Sequence, residues 1–267
     1  MMKPNKMERT LLATMLGLLA LGLFGPHIAQ PVHQHAFADQ RVWVGIPFAM
    51  DVLSNLAFAL WGALGLAYVF ALGKRRPIDT GHALTVLFFA GLVCTAAASA
   101  WYHLQPDDAG LGVDRLGMVL AFAGLLGLAI TGRVSHRAGA VTSAAVLILG
   151  PLGIWFWLVS GNVLPWLVIQ FGGMALMVWM AVVKPLSGAL PVRWGVVVAV
   201  YAAAKLLELA DHQIYEWTGH LISGHSLKHL VASFAVWPVA AAVVLACNAS
   251  QNPGRISLTN AGSGLVR

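Results

Sequence analysis

Long apolar runs separated by short polar stretches fill this chain from Leu11 to Cys247. A helix that crosses a bilayer needs about 20 predominantly apolar residues. By that measure the runs divide into eight spans: 10–25, 51–73, 83–103, 113–132, 138–159, 163–183, 193–211 and 225–247. No soluble domain and no internal repeat interrupts them. The pattern predicts an all-α polytopic membrane protein: a seven-helix transmembrane bundle over 45–247, preceded by an extra N-terminal span. Residues 1–44 hold that span and an outer connecting segment rich in Pro and His. Residues 248–267, rich in Asn, Gly and Ser, read as a flexible tail. Lys3, Lys6 and Arg9 before a short apolar run also describe a signal peptide, and Ala36-Phe-Ala38 resembles a cleavage site. It lies far from the apolar run, so an uncleaved span is the favoured reading.

Composition agrees with the pattern. Of 267 residues, 59% are hydrophobic and only 10% charged, far from a soluble domain. The formal charge of +6 would fit a nucleic-acid partner, but the basic residues sit in short separated loops and on no single face, which excludes one. Cys94 and Cys247 both fall in apolar runs, so neither a disulfide nor a cysteine metal motif is expected.

The loop charges set an orientation. Lys3, Lys6 and Arg9, then Lys74, Arg75 and Arg76, then Arg133 and Arg137, then Lys184 to Arg193, and finally Arg255 and Arg267 all fall on one side. That side is expected to be cytoplasmic, in a bacterial inner membrane. The other side carries Asp39, Asp107, Asp108, Asp211 and Glu216, and most of the histidines.

That side also gathers the candidate chemistry. His225 and His229 are four apart at a helix start, so their rings share a face. Ser99 and His103 repeat the spacing at the end of another helix. Three imidazoles with a fourth position left for water are the ligand set of catalytic zinc. Asp114 opens the next helix and is placed to act as a base or to orient a histidine. Ser99, one turn deeper than His103, is placed to donate to a developing oxyanion. Ionisable residues at the ends of membrane spans mark functional sites. Each motif alone is weak: a lone His-x-x-x-His pair more often bonds loop backbone, and a lone Asp at a helix start serves the dipole. Lys205 and Glu208, three apart, read as a structural pair. Trp101 and Trp217 are candidates to shape a lipid entrance.

The order of motifs resembles the CREST superfamily, which includes alkaline ceramidases and the progestin and adipoQ receptors. The segments Ser99-Ala-Trp-Tyr-His-Leu-Gln-Pro-Asp-Asp108, Asp114-Arg-Leu116 and Ser223-Gly-His-Ser-Leu-Lys-His229 are similar to its bacterial ceramidase-like branch. The resemblance covers the seven-span core. It implies a zinc ion (Zn2+) held by His103, His225 and His229, with Asp114 on the zinc's water and Ser99 beside it. It further implies hydrolysis of amide-linked lipids, ceramide to sphingoid base and fatty acid, with a membrane N-acyl lipid as the partner. Ser54-Asn55 matches the family, but Phe48 stands where its calcium-binding glutamate would be, so calcium is not expected. Two other functions compete. A receptor-like or sensor protein would use the same zinc as a structural staple. A metal transporter would want polar residues through the whole depth of the spans.

Overall fold

The computed structural model describes residues 4–73 and 79–251. Every element of two residues or more is helical. The basic loop Lys74–Arg76 and the tail from 252 onward lie outside the described residues.

Five long helices come first or follow closely: α1 (Lys6–Phe24), α3 (Leu56–Gly73), α4 (Thr80–Leu104), α5 (Asp108–Arg133) and α6 (His136–Ser160). A short helix, α2 (Ala49–Ser54), precedes α3 and is nearly continuous with it. Asn5, Asp79, Asp107 and Ser135 cap the starts of α1, α4, α5 and α6, each accepting a backbone N–H through its side chain. The sixth span is broken into α7 (Leu164–Leu167) and α8 (Gly173–Val182), joined by a π turn over Val168–Gly172. The last is broken into α11 (Gly224–Phe234) and α12 (Trp237–Gln251). Pro238, which lacks an N–H, sits in the first turn of α12, where that donor has no intrahelical partner to lose.

Seven of these stretches are long and apolar enough to cross a membrane, so the chain is an integral multi-pass membrane protein. The expected span at 193–211 is the exception. It is α9 (Trp194–Leu209), 16 residues or about 24 Å, followed at an angle by α10 (Asp211–Trp217). The polar residues Lys205, Glu208 and Asp211 end its apolar run early.

The centre of the bundle is the α4–α5 pair. A Cβ on Gly91 would fall on the backbone of Ala121, so only glycine permits this approach. The pairing sets the C-terminal end of α4 beside the N-terminal end of α5. Helices α9 and α11 complete that end of the bundle. At Gly224 a Cβ would meet the carbonyl of Leu207, so α11 starts tight against α9.

The connecting segment 26–48 crosses this end as a strap. Val163 N–H donates to the carbonyl of Ile28, and the Ala38 N–H donates to Asp211. Asp39 is 1% exposed and holds Arg41 through both carboxylate oxygens. Burial pushes the Asp39 carboxyl up. The Arg41 guanidinium and backbone N–H outweigh that and hold it below the usual carboxylate range.

Candidate metal centre

The helix arrangement brings the three predicted histidines together. His103 comes from the last turn of α4; His225 and His229 come from the first two turns of α11. One ring nitrogen of each lies within 4.8 Å of the other two, and all three side chains are buried. These three residues are close enough to share one metal ion.

One distance tests the fit. The Nε2 atoms of His103 and His225 are 3.3 Å apart. Two nitrogens bound at 2.0–2.1 Å on a tetrahedral centre would be ~3.3 Å apart, whereas 3.3 Å is long for an N–H···N hydrogen bond. The other ring nitrogen of His103, Nδ1, is buried with no hydrogen-bond partner among the described residues, so no side chain orients this ring from behind.

The third histidine, His229, is oriented by Ser54, which the sequence matched to the family without a role at this cluster. Ser54 Oγ lies 2.8 Å from His229 Nδ1 and 3.0 Å from the carbonyl oxygen of Asp51. Ser54 also sits on α2, whose Asp51 is fully buried and accepts the Ser226 hydroxyl at 2.6 Å. Asp51 thus fastens α2 to the first turn of α11. Asp211, from α10, accepts the His225 backbone N–H at 2.7 Å while its other oxygen takes the Ala38 N–H of the strap. Ser54 reaches the imidazole itself, as partners behind a metal-binding histidine do, while Asp51 and Asp211 fix the turns of α11 that carry the rings.

Phe37 closes the centre from the strap. Its ring stands edge-on to His103 at 4.8 Å and to His225 at 4.5 Å between centroids. His35, beside it, is 2.8 Å from the Tyr102 hydroxyl and 3.1 Å from Asp108.

Asp114 and Ser99 occupy a different wall. The Ser99 hydroxyl faces the Asp114 carboxylate of the neighbouring helix across this wall. Asp114 is not part of the cluster that could share an ion. With His229, both residues line a cavity of about 220 Å³ that runs between the helices. Its deeper wall is Phe88, Leu92, Met118, Phe122, Met174 and Val197, all apolar.

Trp101 and Trp217 are 65% and 82% exposed and do not line this cavity; Trp166 does. At α-helical spacing a Trp near the motif need not face it. Lys205 and Glu208 do pair, but they also line the cavity with Lys228, Arg115 and Gln170, so its upper wall is charged and not purely apolar. Lys228 donates to Glu208 at 2.8 Å across the α9–α11 interface.

No family model matches this chain, and no curated protein matches it.

Proposed function

We propose that this protein is a zinc-dependent intramembrane hydrolase of amide-linked lipids, ceramidase-like, as the resemblance to the CREST superfamily implies. One observation carries the reading: three histidine nitrogens lie at metal-sharing distance, and His229 shares with Asp114 and Ser99 the wall of a cavity whose deeper part is apolar. Zinc, when bound there, supplies Lewis acidity and a water of lowered pKa. His103, His225 and His229 hold the ion. Asp114 takes a proton from the attacking water as the new C–O bond forms. It returns that proton to the departing amine as the C–N bond breaks. Ser99, facing Asp114 on the same wall, donates to the carbonyl oxygen as it gains charge. The apolar lower cavity takes the acyl chain. The ceramide products would be a sphingoid base and a fatty acid, and the centre would face the extracytoplasmic side of a bacterial inner membrane.

The receptor-like reading, with a structural ion, draws on the closure of the centre by Phe37 and on the burial of all three ligands. Against it, structural zinc sites have four protein ligands, and only three groups converge here among the described residues. The deciding experiment is metal analysis of purified protein together with fatty-acid release from a panel of ceramides and other N-acyl lipids. Zinc binding with release above a His225→Ala control supports the hydrolase. Zinc binding with no release from any lipid favours the staple.

A further inference from the structure

The cavity beside the metal centre carries more positive charge than its structure requires. Five ionisable side chains line it: Arg115, Lys205 and Lys228 against Asp114 and Glu208. Three basic groups face two carboxyl groups on this wall, an excess of one base. One lysine is enough to staple α9 to α11, and Lys228 does so through Glu208. Lys205 pairs with the same carboxylate from within α9 and adds nothing to that staple.

A second observation is independent of the lysines. Arg115 is 6% exposed, yet its Nη1 is buried with no hydrogen-bond partner among the described residues. Its Nη2 donates to Gln30 of the strap, and its guanidinium carbon stacks 4.1 Å from the centre of the Trp157 ring. A planar guanidinium held on an aromatic face with a free N–H is suited to an acid group. A surplus cation and an unpaired donor at membrane depth are both costly unless an anion joins them.

We propose that the lipid taken by this site carries an acid group on its amine side, held by Lys205, Lys228 and Arg115. This deepens the hydrolase reading and rests on it for the position of the amide. Lys228 and His229 line the same cavity, so the acid group and the amide would share it. A neutral ceramide would leave these cations unmatched.

The test uses matched pairs that differ only in the acid. Binding of N-palmitoylglycine and N-palmitoylethanolamine to the purified full-length protein is followed by tryptophan fluorescence. Ceramide 1-phosphate and ceramide form the second pair. The acidic member of at least one pair is expected to bind about tenfold more tightly, ~1.4 kcal/mol. The pair that shows it identifies carboxylate or phosphate. Lys205→Met and Lys228→Met should each shrink the preference to about threefold or less, and Glu208→Gln should enlarge it. Circular dichroism confirms that the variants fold, and wild-type protein alone decides the question if they do not. Equal binding within both pairs, or a preference unmoved in folded lysine variants, overturns the inference. Fatty-acid release is scored separately. Preferential binding without release sinks the hydrolase reading and leaves the acid-group inference standing; equal binding with release does the reverse.

Discussion

Ser54 Oγ and His229 Nδ1 lie 2.8 Å apart, and the same hydroxyl lies 3.0 Å from the Asp51 carbonyl oxygen. A carbonyl only accepts and a hydroxyl has one proton. The Ser54 proton therefore goes to Asp51, and His229 must donate from Nδ1. That tautomer leaves the Nε2 lone pair free to face His103 and His225. A serine on α2 thus fixes which nitrogen of a histidine on α11 is available to a metal.

Removing that control should weaken the centre without dismantling it. Ser54→Ala is expected to lower zinc affinity by about 10–100-fold, the usual cost of losing a partner behind a histidine ligand. Competition against a chromogenic chelator measures it. Unchanged affinity would mean that the α2 contact plays no part in ligand orientation.

Alanine at His103, His225 or His229 should be more severe. Each removes one of three ligands, so bound zinc, near one per chain in the parent, should fall to a small fraction by elemental analysis. Full retention in all three variants would place the metal elsewhere.

The spans and the triad were legible because each rests on a local pattern. Apolar runs of spanning length and two four-residue spacings need no knowledge of tertiary contacts, and Asp114 follows His103 by eleven residues across the short α4–α5 connection. What escaped notice depends on contacts between distant segments. Ser54 and Asp51 act on α11 from 175 residues away, and Phe37 reaches the histidines from a connecting segment that has no periodicity to read. Lys205 and Glu208 were legible as a pair, since three residues on a helix are neighbours. Their place on the cavity wall was not, because it depends on how α9 rotates against α11.

Asp114→Asn should separate metal binding from turnover. The carboxylate lies outside the ion-sharing cluster and faces Ser99 on the cavity wall. Zinc content is expected to stay near that of the parent, while fatty-acid release falls by about 10²–10⁴-fold, the usual contribution of a positioned acid–base group. Loss of metal along with activity would make Asp114 a ligand.

The orientation follows from loop charge and can be read chemically. In a background with Cys94→Ala and Cys247→Ala, Ala109→Cys is exposed at the end of the bundle that holds the triad, and His136→Cys is exposed at the α5–α6 turn. An impermeant thiol reagent added to intact cells should label the first and not the second. The opposite labelling would turn the protein over in the membrane.

The strap over the metal centre should be acid-sensitive in a predictable direction. Asp39 is buried and bonded to Arg41 through both oxygens, and Arg41 in turn donates to the Leu221 carbonyl next to α11. Its folded carboxyl lies below the ordinary range, with burial opposing and Arg41 prevailing. A depressed carboxylate contributes stability that is fully present above the unfolded value, about 3.9. That contribution is lost as pH falls through the lower folded value. Asp39→Asn should therefore cost about 1.5–3 kcal/mol at pH 7, the scale of hydrogen bonds to a charged group. The difference from the parent should shrink steadily once pH drops below about 4. Thermal unfolding of both proteins in detergent from pH 7 to pH 3 measures the gap. A gap that is constant with pH would show that the Asp39 charge does not hold the strap. A gap that widens on acidification would mean that the folded carboxyl sits above the ordinary range, with burial prevailing over Arg41.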